Sequence, residues 1–244
     1  MTNKIETKWL SDETEAAYIY NFEQGSDIWV KSRCIGGSTI CSCLGLSSYS
    51  TKEQLMSTIL FPKKLKMTSI IMRGSIGEGD IRDYISLRTG IQFRQIGLAV
   101  SKKYPWMRAS PDGIYRQTNG NLGIIEIKII SSSKRRSNII EKVIIPTYNM
   151  KPLLTEPIIA DHYHQTHYTA GVLGATEIIY VALLCSNGSN FDSDDTIIMQ
   201  KYRFNKELFE NVHVPKAWEI FKNIERRKTL DRFIYGRLSS SLEK

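Results

Sequence analysis

The chain has 244 residues, 41% of them hydrophobic and 24% charged, and 33 Lys and Arg stand against 25 Asp and Glu for a formal charge of +8. That length suits one domain with a substantial core, and the basic excess favours a polyanionic partner without bearing on fold. Cys34, Cys41, Cys43 and Cys185 form no CxxC pair, which argues against a zinc ribbon or a disulfide scaffold; the N-terminus lacks an apolar signal core and no run approaches the ~18 apolar residues of a membrane span, so a soluble intracellular protein with no membrane partner is expected.

Residues 10–24 have helical periodicity, with Ser11 or Asp12 as N-cap and Glu13 and Glu15 in the first turn. Two short helices are expected between Trp29 and Leu46, around the Gly36-Gly37 break, and another over 51–61 capped by Thr51. A longer helix carries Glu78, Asp80, Arg82 and Asp83, and strands follow at about 93–101, 107–115 and 122–130. The polar segment 131–156 reads as a long irregular connection, a feature that in a domain is usually functional or mobile. A helix over 158–174, strands at 177–185 and 196–204, and a helix over 205–229 complete the order. Strands set between helices predict an α/β or α+β three-layer domain. It is read as one unit over 1–244, with an N-terminal helical part to about 70, a core over about 71–204 and a C-terminal helix over about 205–230.

The stretch richest in chemistry is Arg108-Ala109-Ser110-Pro111-Asp112-Gly113, a polar turn, then Gly123-Ile124-Ile125-Glu126-Ile127-Lys128-Ile129-Ile130. The isoleucine-rich half reads as a buried strand, in which Glu126 and Lys128 share one face and Ile125, Ile127 and Ile129 the other. A carboxylate and an ammonium in such a strand cost several kcal/mol per ion unless something compensates, and a divalent metal with a phosphodiester would do so. Asn119-Gly120 is a strong hairpin signal. Closing that hairpin sets Asp112 beside Glu126, where the two can share a hard cation, and leaves Lys128 to orient the attacking water or offset charge at phosphorus. Lys63-Lys64-Lys66, Lys134-Arg135-Arg136 and Arg226-Arg227-Lys228 are basic patches, the second following the strand directly. His162, His164 and His167 have a zinc-like spacing, but on a helix His162 lies well around from the other two, so zinc is not favoured. Trp29, Trp106 and Tyr168 read as core or groove-wall aromatics.

Pro111-Asp112 followed by Glu126-Ile127-Lys128 resembles the PD-(D/E)XK nuclease superfamily, whose core is a central mixed β-sheet flanked by helices. The flanking segments are similar to its λ exonuclease-type branch, the YqaJ-like viral recombinases and alkaline exonucleases. Trp29 to Arg33, Ile35-Gly36-Gly37-Ser38 and Leu44-Gly45-Leu46-Ser47-Ser48-Tyr49 resemble one motif of that branch; Met72-Arg73-Gly74 through Glu78 to Arg82 resembles its G-x-x-x-E helix; His164-Gln165-Thr166-His167-Tyr168 with Gly171 resembles its Q-x-Q-Y helix. Matches in this order span residues 26 to about 175.

The resemblance implies a catalytic set of Asp112, Glu126, Lys128 and Glu78, and metal contacts at Asp112, Glu126, Ile127 and Glu78. It implies phosphate contacts, notably to a 5′-terminal phosphate, at Arg33, Ser38, Ser110 and Gln165, residue types suited to anions. Gly36-Gly37 would admit a phosphate close to the backbone. The spacing from Arg33 to Ser38 is about two residues shorter than the family pattern, and His167 stands where many relatives have a second glutamine, as a polar DNA-facing substitute. The activity implied is a Mg²⁺- or Mn²⁺-dependent deoxyribonuclease that degrades linear duplex DNA from its ends, 5′ to 3′, beside a single-strand annealing protein in viral or phage recombination, as a monomer or a ring-shaped homo-oligomer. Alternatives are a structure-specific or restriction-like endonuclease and a non-cleaving DNA-end-binding protein.

Overall fold

The structure, a computed structural model, describes residues 10–22, 25–32, 34–62, 69–130, 160–184 and 196–242. The chain begins with a β-hairpin in which β1 (Leu10–Glu13) pairs antiparallel with β2 (Ala17–Tyr20). This corrects the helix expected over 10–24. Ala17 and Ile19 are buried while Tyr18 between them is 40% exposed, a period-two burial that pairing with a central strand rewards more than any local helical tendency. Thr14 makes the turn, its Oγ1 accepting from the N–H groups of Ala16 and Ala17.

Five strands form the first sheet, in the order β1-β2-β4-β5-β3, with β3 at Ile35–Gly36, β4 at Leu98–Ser101 and β5 at Met107–Ala109; only β3 and β5 run parallel. The second sheet has the order β6-β7-β8-β9, from β6 (Gly113–Arg116), β7 (Leu122–Ile130), β8 (Glu177–Leu184) and β9 (Thr196–Arg203), with β7 and β8 parallel. The strand expected over 107–115 is therefore divided. Ser110-Pro111-Asp112 carries the chain from one sheet to the other, and Pro111 has no N–H to offer a ladder at that point. The strand expected over 93–101 is shortened in the same way, residue 94 making only an isolated bridge to Ile114.

Helices α1 (Asp27–Ser32) and α2 (Ile40–Leu44) flank the Gly36-Gly37 segment, which continues into a 3₁₀ turn at Gly37–Thr39. Helix α3 (Lys52–Leu60) starts at the expected cap, Thr51 accepting from the Gln54 N–H while the Gln54 side chain returns the bond. Helix α4 (Ser69–Thr89) carries Glu78, and α5 (Ala160–Leu173) carries Gln165. A helical turn at Lys206–Leu208 and a π-helical turn at Phe209–His213 lead into α6 (Val214–Leu242).

These helices cover both faces of the second sheet. Ile81 and Ile85 of α4 pack on Tyr115, Ile125, Ile127 and Ile179. Tyr168, Val172 and Leu173 of α5 share a cluster with Ile124 and Ile178 of the opposite face. This is the expected α/β layering of mixed sheets between helices. No described helix is long and apolar enough to cross a membrane. Among the described residues Cys34, Cys41 and Cys43 form no disulfide. The connection expected over 131–156, the basic clusters at 63–66 and 134–136, Arg33 and Cys185 lie outside the described residues.

Candidate functional site

The hairpin of β6 and β7 closes as its sequence predicts. Gly113 pairs with Ile125, and Arg116 with Leu122. Gly120 takes the left-handed conformation of the turn, with φ of 82°, which a residue without Cβ adopts freely. Continuing that register by one step sets Asp112 opposite Glu126. The Asp112 side chain then takes over where the ladder stops, its Oδ2 accepting from the Ile127 N–H at 2.6 Å. From α4, Arg82 Nη1 donates to the Asp112 carbonyl at 2.9 Å, which fixes the turn from the other side.

A cavity of about 190 Å³ opens where the sheet junction, α4 and α5 meet, and Glu78, Asp112, Glu126, Lys128, Ser38, Ser110 and Gln165 all line it. Ile127 turns its side chain into the core of the opposite face, so only its backbone is available to the site.

Glu126 is the most enclosed of the carboxylates, at 2% exposure. Its Oε1 accepts from Lys128 Nζ at 2.7 Å and from Gln165 Nε2, whereas its Oε2 is buried and, among the described residues, has no hydrogen-bond partner. Burial, reinforced by the charge of Glu126, holds the Asp112 carboxyl well above the usual carboxylate range. Burial also raises Glu78, with Glu126 adding and Lys128 and Arg82 opposing. Burial alone would lower Lys128, but the charges of Glu126 and Asp112 and the bond to Glu126 outweigh it and raise its pKa. Three carboxylates thus line one cavity with Lys128, which pairs with Glu126, and among the described residues one oxygen of Glu126 has no hydrogen-bond partner.

That donor set fits a hard divalent cation. The orphaned Oε2 and the Asp112 carboxylate are acceptor oxygens of the kind such ions prefer, and positive charge there would relieve the mutual repulsion. Among the described residues no three His, Cys, Asp or Glu side chains are grouped so as to hold a metal ion, so Asp112 and Glu126 are the pair of carboxylates that would hold one here.

The residues expected to hold phosphate are placed unevenly. Ser38 is exposed at the rim, in the 3₁₀ turn. The Ser110 hydroxyl donates to the Gly97 carbonyl at 3.0 Å, and Gln165 is turned toward Glu126. The helix start anticipated at Gly36-Gly37 is a three-residue turn tucked against α5, so close that a Cβ on Gly37 would lie 2.5 Å from Thr169 Oγ1.

His167, expected as a polar DNA-facing residue, lies in the interior. It is buried, its Nδ1 accepts from the Asn205 N–H at 3.1 Å, and Tyr163 and Tyr202 flank it; burial pushes its pKa down to about 4. His164 Nδ1 and His213 Nε2 share a hydrogen bond at 2.9 Å, and His162 Nδ1 contacts Tyr180 Oη at 2.8 Å. His213 is fully buried on the π-helical turn and lowered to about 3, mainly by burial; no motif marked it. Trp29 and Tyr168 are buried, as expected.

Sequence reasoning also passed over Arg108, which is buried yet lines the same cavity. The signal was available: an arginine inside a strand, two residues before Ser110 and so on the same face.

Among solved structures the chain is similar to an alkaline exonuclease, LHK-Exo, from Laribacter hongkongensis, with 16% identity and a TM-score of 0.67 over 87% of this chain and 100% of that one. LHK-Exo in complex with dAMP gives 15% identity and a TM-score of 0.66 over the same shares. A phage related exonuclease from Haemophilus somnus 129PT gives 9% and 0.52, over 80% of this chain and 96% of that one. At these identities the likeness is one of fold. No curated protein matches the chain. The model of the YqaJ-like viral recombinase domain matches residues 28–150, just over half of the chain.

Proposed function

The chain belongs to the YqaJ-like viral recombinase family, and from that premise we propose that it is a metal-dependent deoxyribonuclease that degrades linear duplex DNA from its ends, 5′ to 3′, in viral or phage recombination. The observation that carries this reading is the convergence of Asp112, Glu126 and Lys128 on one cavity wall with Glu126 Oε2 unpartnered. The relatives of like fold are named exonucleases, and one was solved with dAMP, a nucleoside monophosphate.

In this reading Asp112 and Glu126 hold Mg²⁺ or Mn²⁺, with the Ile127 backbone and Glu78 in support. Bound there, the cation supplies a Lewis acid that favours hydroxide over water and offsets charge at the scissile phosphate. Lys128, anchored to Glu126 Oε1, presents its remaining N–H donors to the attacking water or to a phosphoryl oxygen. Water attacks phosphorus, the P–O3′ bond breaks, and the product keeps its 5′-phosphate. Gln165 holds Glu126 in orientation, and Ser38, Ser110 and Arg33 serve the 5′-terminal phosphate. Duplex ends are the substrate; a single-strand annealing protein and a second copy of the chain are the partners this role calls for.

The test is cleavage of end-labelled linear, nicked and closed circular duplexes in Mg²⁺ and in EDTA. Linear DNA should be lost from the 5′ strand end only with the cation, and Ca²⁺ should support binding but poor cleavage, because its loose coordination orients a nucleophile badly. Equal cutting of closed circles would replace this reading with an endonuclease. Binding of ends without any cleavage would leave a DNA-end-binding protein.

A further inference from the structure

Strands β4 and β5 are joined by Lys102-Lys103-Tyr104-Pro105-Trp106, a loop that mixes cations with aromatic rings. Lys102 Nζ lies 4.9 Å from the centroid of the Tyr18 ring, and Lys103 Nζ 5.0 Å from that of Tyr104. Trp106, expected as a core or groove-wall aromatic, is half-buried and packs on Trp218 of α6 with centroids 4.6 Å apart. Lys222 Nζ in turn lies 5.7 Å from the Trp218 centroid. The cation–π contacts of the described residues thus gather on this loop or on the ring packed against it. Tyr18 and Trp218 are each 40% exposed, so both keep ring surface in water. Lys102 also pairs with Glu13 at 2.8 Å, but among the described residues Lys103 and Lys222 form no salt bridge. Exposed apolar side chains scattered singly are ordinary, whereas a contiguous group marks a binding surface. Protein–protein interfaces are depleted of lysine, yet here lysines lie directly over the rings. That combination fits a polyanion with flat apolar faces to offer. Unpaired nucleotides meet the description; in a duplex the base faces are already stacked on one another. The loop stands apart from the catalytic cavity, which none of these residues lines. Asp112 follows Trp106 by six residues, at most about 20 Å of extended chain.

We propose that the 102–106 loop, with Tyr18 and Trp218, is a second nucleic-acid site that takes single-stranded DNA, its bases stacked on the exposed rings and its phosphates met by Lys103 and Lys222. The role of this site rests on the exonuclease reading above: removal of one strand of a duplex leaves the other unpaired, and the platform holds that retained strand outside the cavity. Stacking accepts every base, because each has a π-face, as an enzyme that advances through any sequence requires. A grip on the retained strand keeps the protein on its substrate between successive cuts.

The test uses the full chain in EDTA, where no cleavage intervenes, with a short oligothymidylate whose end label reports binding by anisotropy. Trp218→Ala should weaken that binding at least about fivefold, the worth of one stacked base. An abasic oligomer of the same length should bind the wild type weakly and be indifferent to Trp218→Ala. Lys103→Gln combined with Lys222→Gln should lower the slope of log affinity against log salt by about 1.4, two phosphate contacts on a single strand. In Mg²⁺ these variants should match the wild type in turnover at saturating linear duplex, but degrade shorter tracts per encounter when challenged with competitor duplex. Unchanged oligothymidylate affinity in both variants overturns the proposal, and degradation of linear duplex by the same samples leaves the exonuclease reading standing. Affinity that falls in both variants of a chain whose wild type degrades no duplex upholds the site and removes the exonuclease reading. Abasic DNA bound as tightly as oligothymidylate reduces the surface to a charge patch and overturns the stacking platform. Trp218 packs on Trp106, so should Trp218→Ala not fold, Tyr18→Ser on the outer face of β2 takes its place: unchanged affinity there and in the double lysine variant overturns the proposal.

Discussion

Replacing Asp112 with Asn should abolish cleavage and at the same time stabilise the metal-free protein. Asp112, Glu126 and Glu78 line one cavity with Lys128 and Arg108. Burial and the Glu126 charge hold Asp112 well above the ordinary carboxylate range, so its ionised form is disfavoured in the fold relative to the unfolded chain. Asn keeps the acceptor that serves the Ile127 N–H and removes the charge. Relief of one such repulsion is worth about 0.5–2 kcal/mol, and at roughly 2–4 °C per kcal/mol for a chain of this size the melting point in EDTA should rise by about 1–8 °C. The sign with pH follows from the raised folded pKa. Folded wild type keeps a proton that the unfolded chain has lost, so its stability falls as pH rises from the unfolded value near ~3.9 through the folded one. The advantage of Asn is therefore largest in alkaline buffer and disappears in acid. Mg²⁺ at a hundred times its dissociation constant should stabilise the wild type by about 2.7 kcal/mol and Asp112→Asn far less, while cleavage drops at least ~10²-fold. Melting curves in EDTA and Mg²⁺ across pH, with cleavage of a linear duplex, measure all of this. A melting point several degrees below wild type in EDTA, or an undiminished response to Mg²⁺, would refute the reasoning.

Lys128→Ala leaves Glu126 Oε1 with Gln165 as its donor and should lower turnover at saturating duplex by at least ~10²-fold; turnover near that of the wild type removes Lys128 from the chemistry. Gly37→Ala forces a Cβ to 2.5 Å from Thr169 Oγ1 and 3.3 Å from Gln165 Cγ, so urea unfolding should show a loss of about 1–3 kcal/mol and cleavage should slow as Gln165 is displaced from Glu126. His167 and His213, buried and lowered to about 4 and about 3, are neutral in the fold. Their stability contribution is complete above the unfolded value near ~6.5 and is lost as pH falls toward those values, by up to about 1.4 kcal/mol per pH unit for each. Urea titrations in that window should show the slope, and His213→Gln should flatten it.

Much of the site was legible because its signals are local. Ile124 to Ile130 could be read as a buried strand with Glu126 and Lys128 on one face, since alternation is a property of the backbone alone. Asn119-Gly120 announced its turn because few residues tolerate a left-handed conformation. Asp112 then followed from the hairpin register, and Thr51 from the reciprocal bonds of a capping box. The layering of helices on both faces of the sheet likewise followed from the order of elements.

What the tertiary structure decided depends on partners far away in sequence. Residues 10–20 are strands because β4 offers a ladder about eighty residues on, which no local window contains. Pro111 divided one expected strand between two sheets, and that division created the cavity. Gln165, expected at a phosphate, turns to Glu126 across 39 positions. His167 and His213 became interior groups because α5, β9 and the π-helical turn enclose them. Arg108 is the sharpest instance: a basic residue in sequence is one of many in a chain of charge +8, and only burial sets it apart. Backbone periodicity and turn chemistry are written in neighbouring residues, whereas desolvation and pairing are written in space.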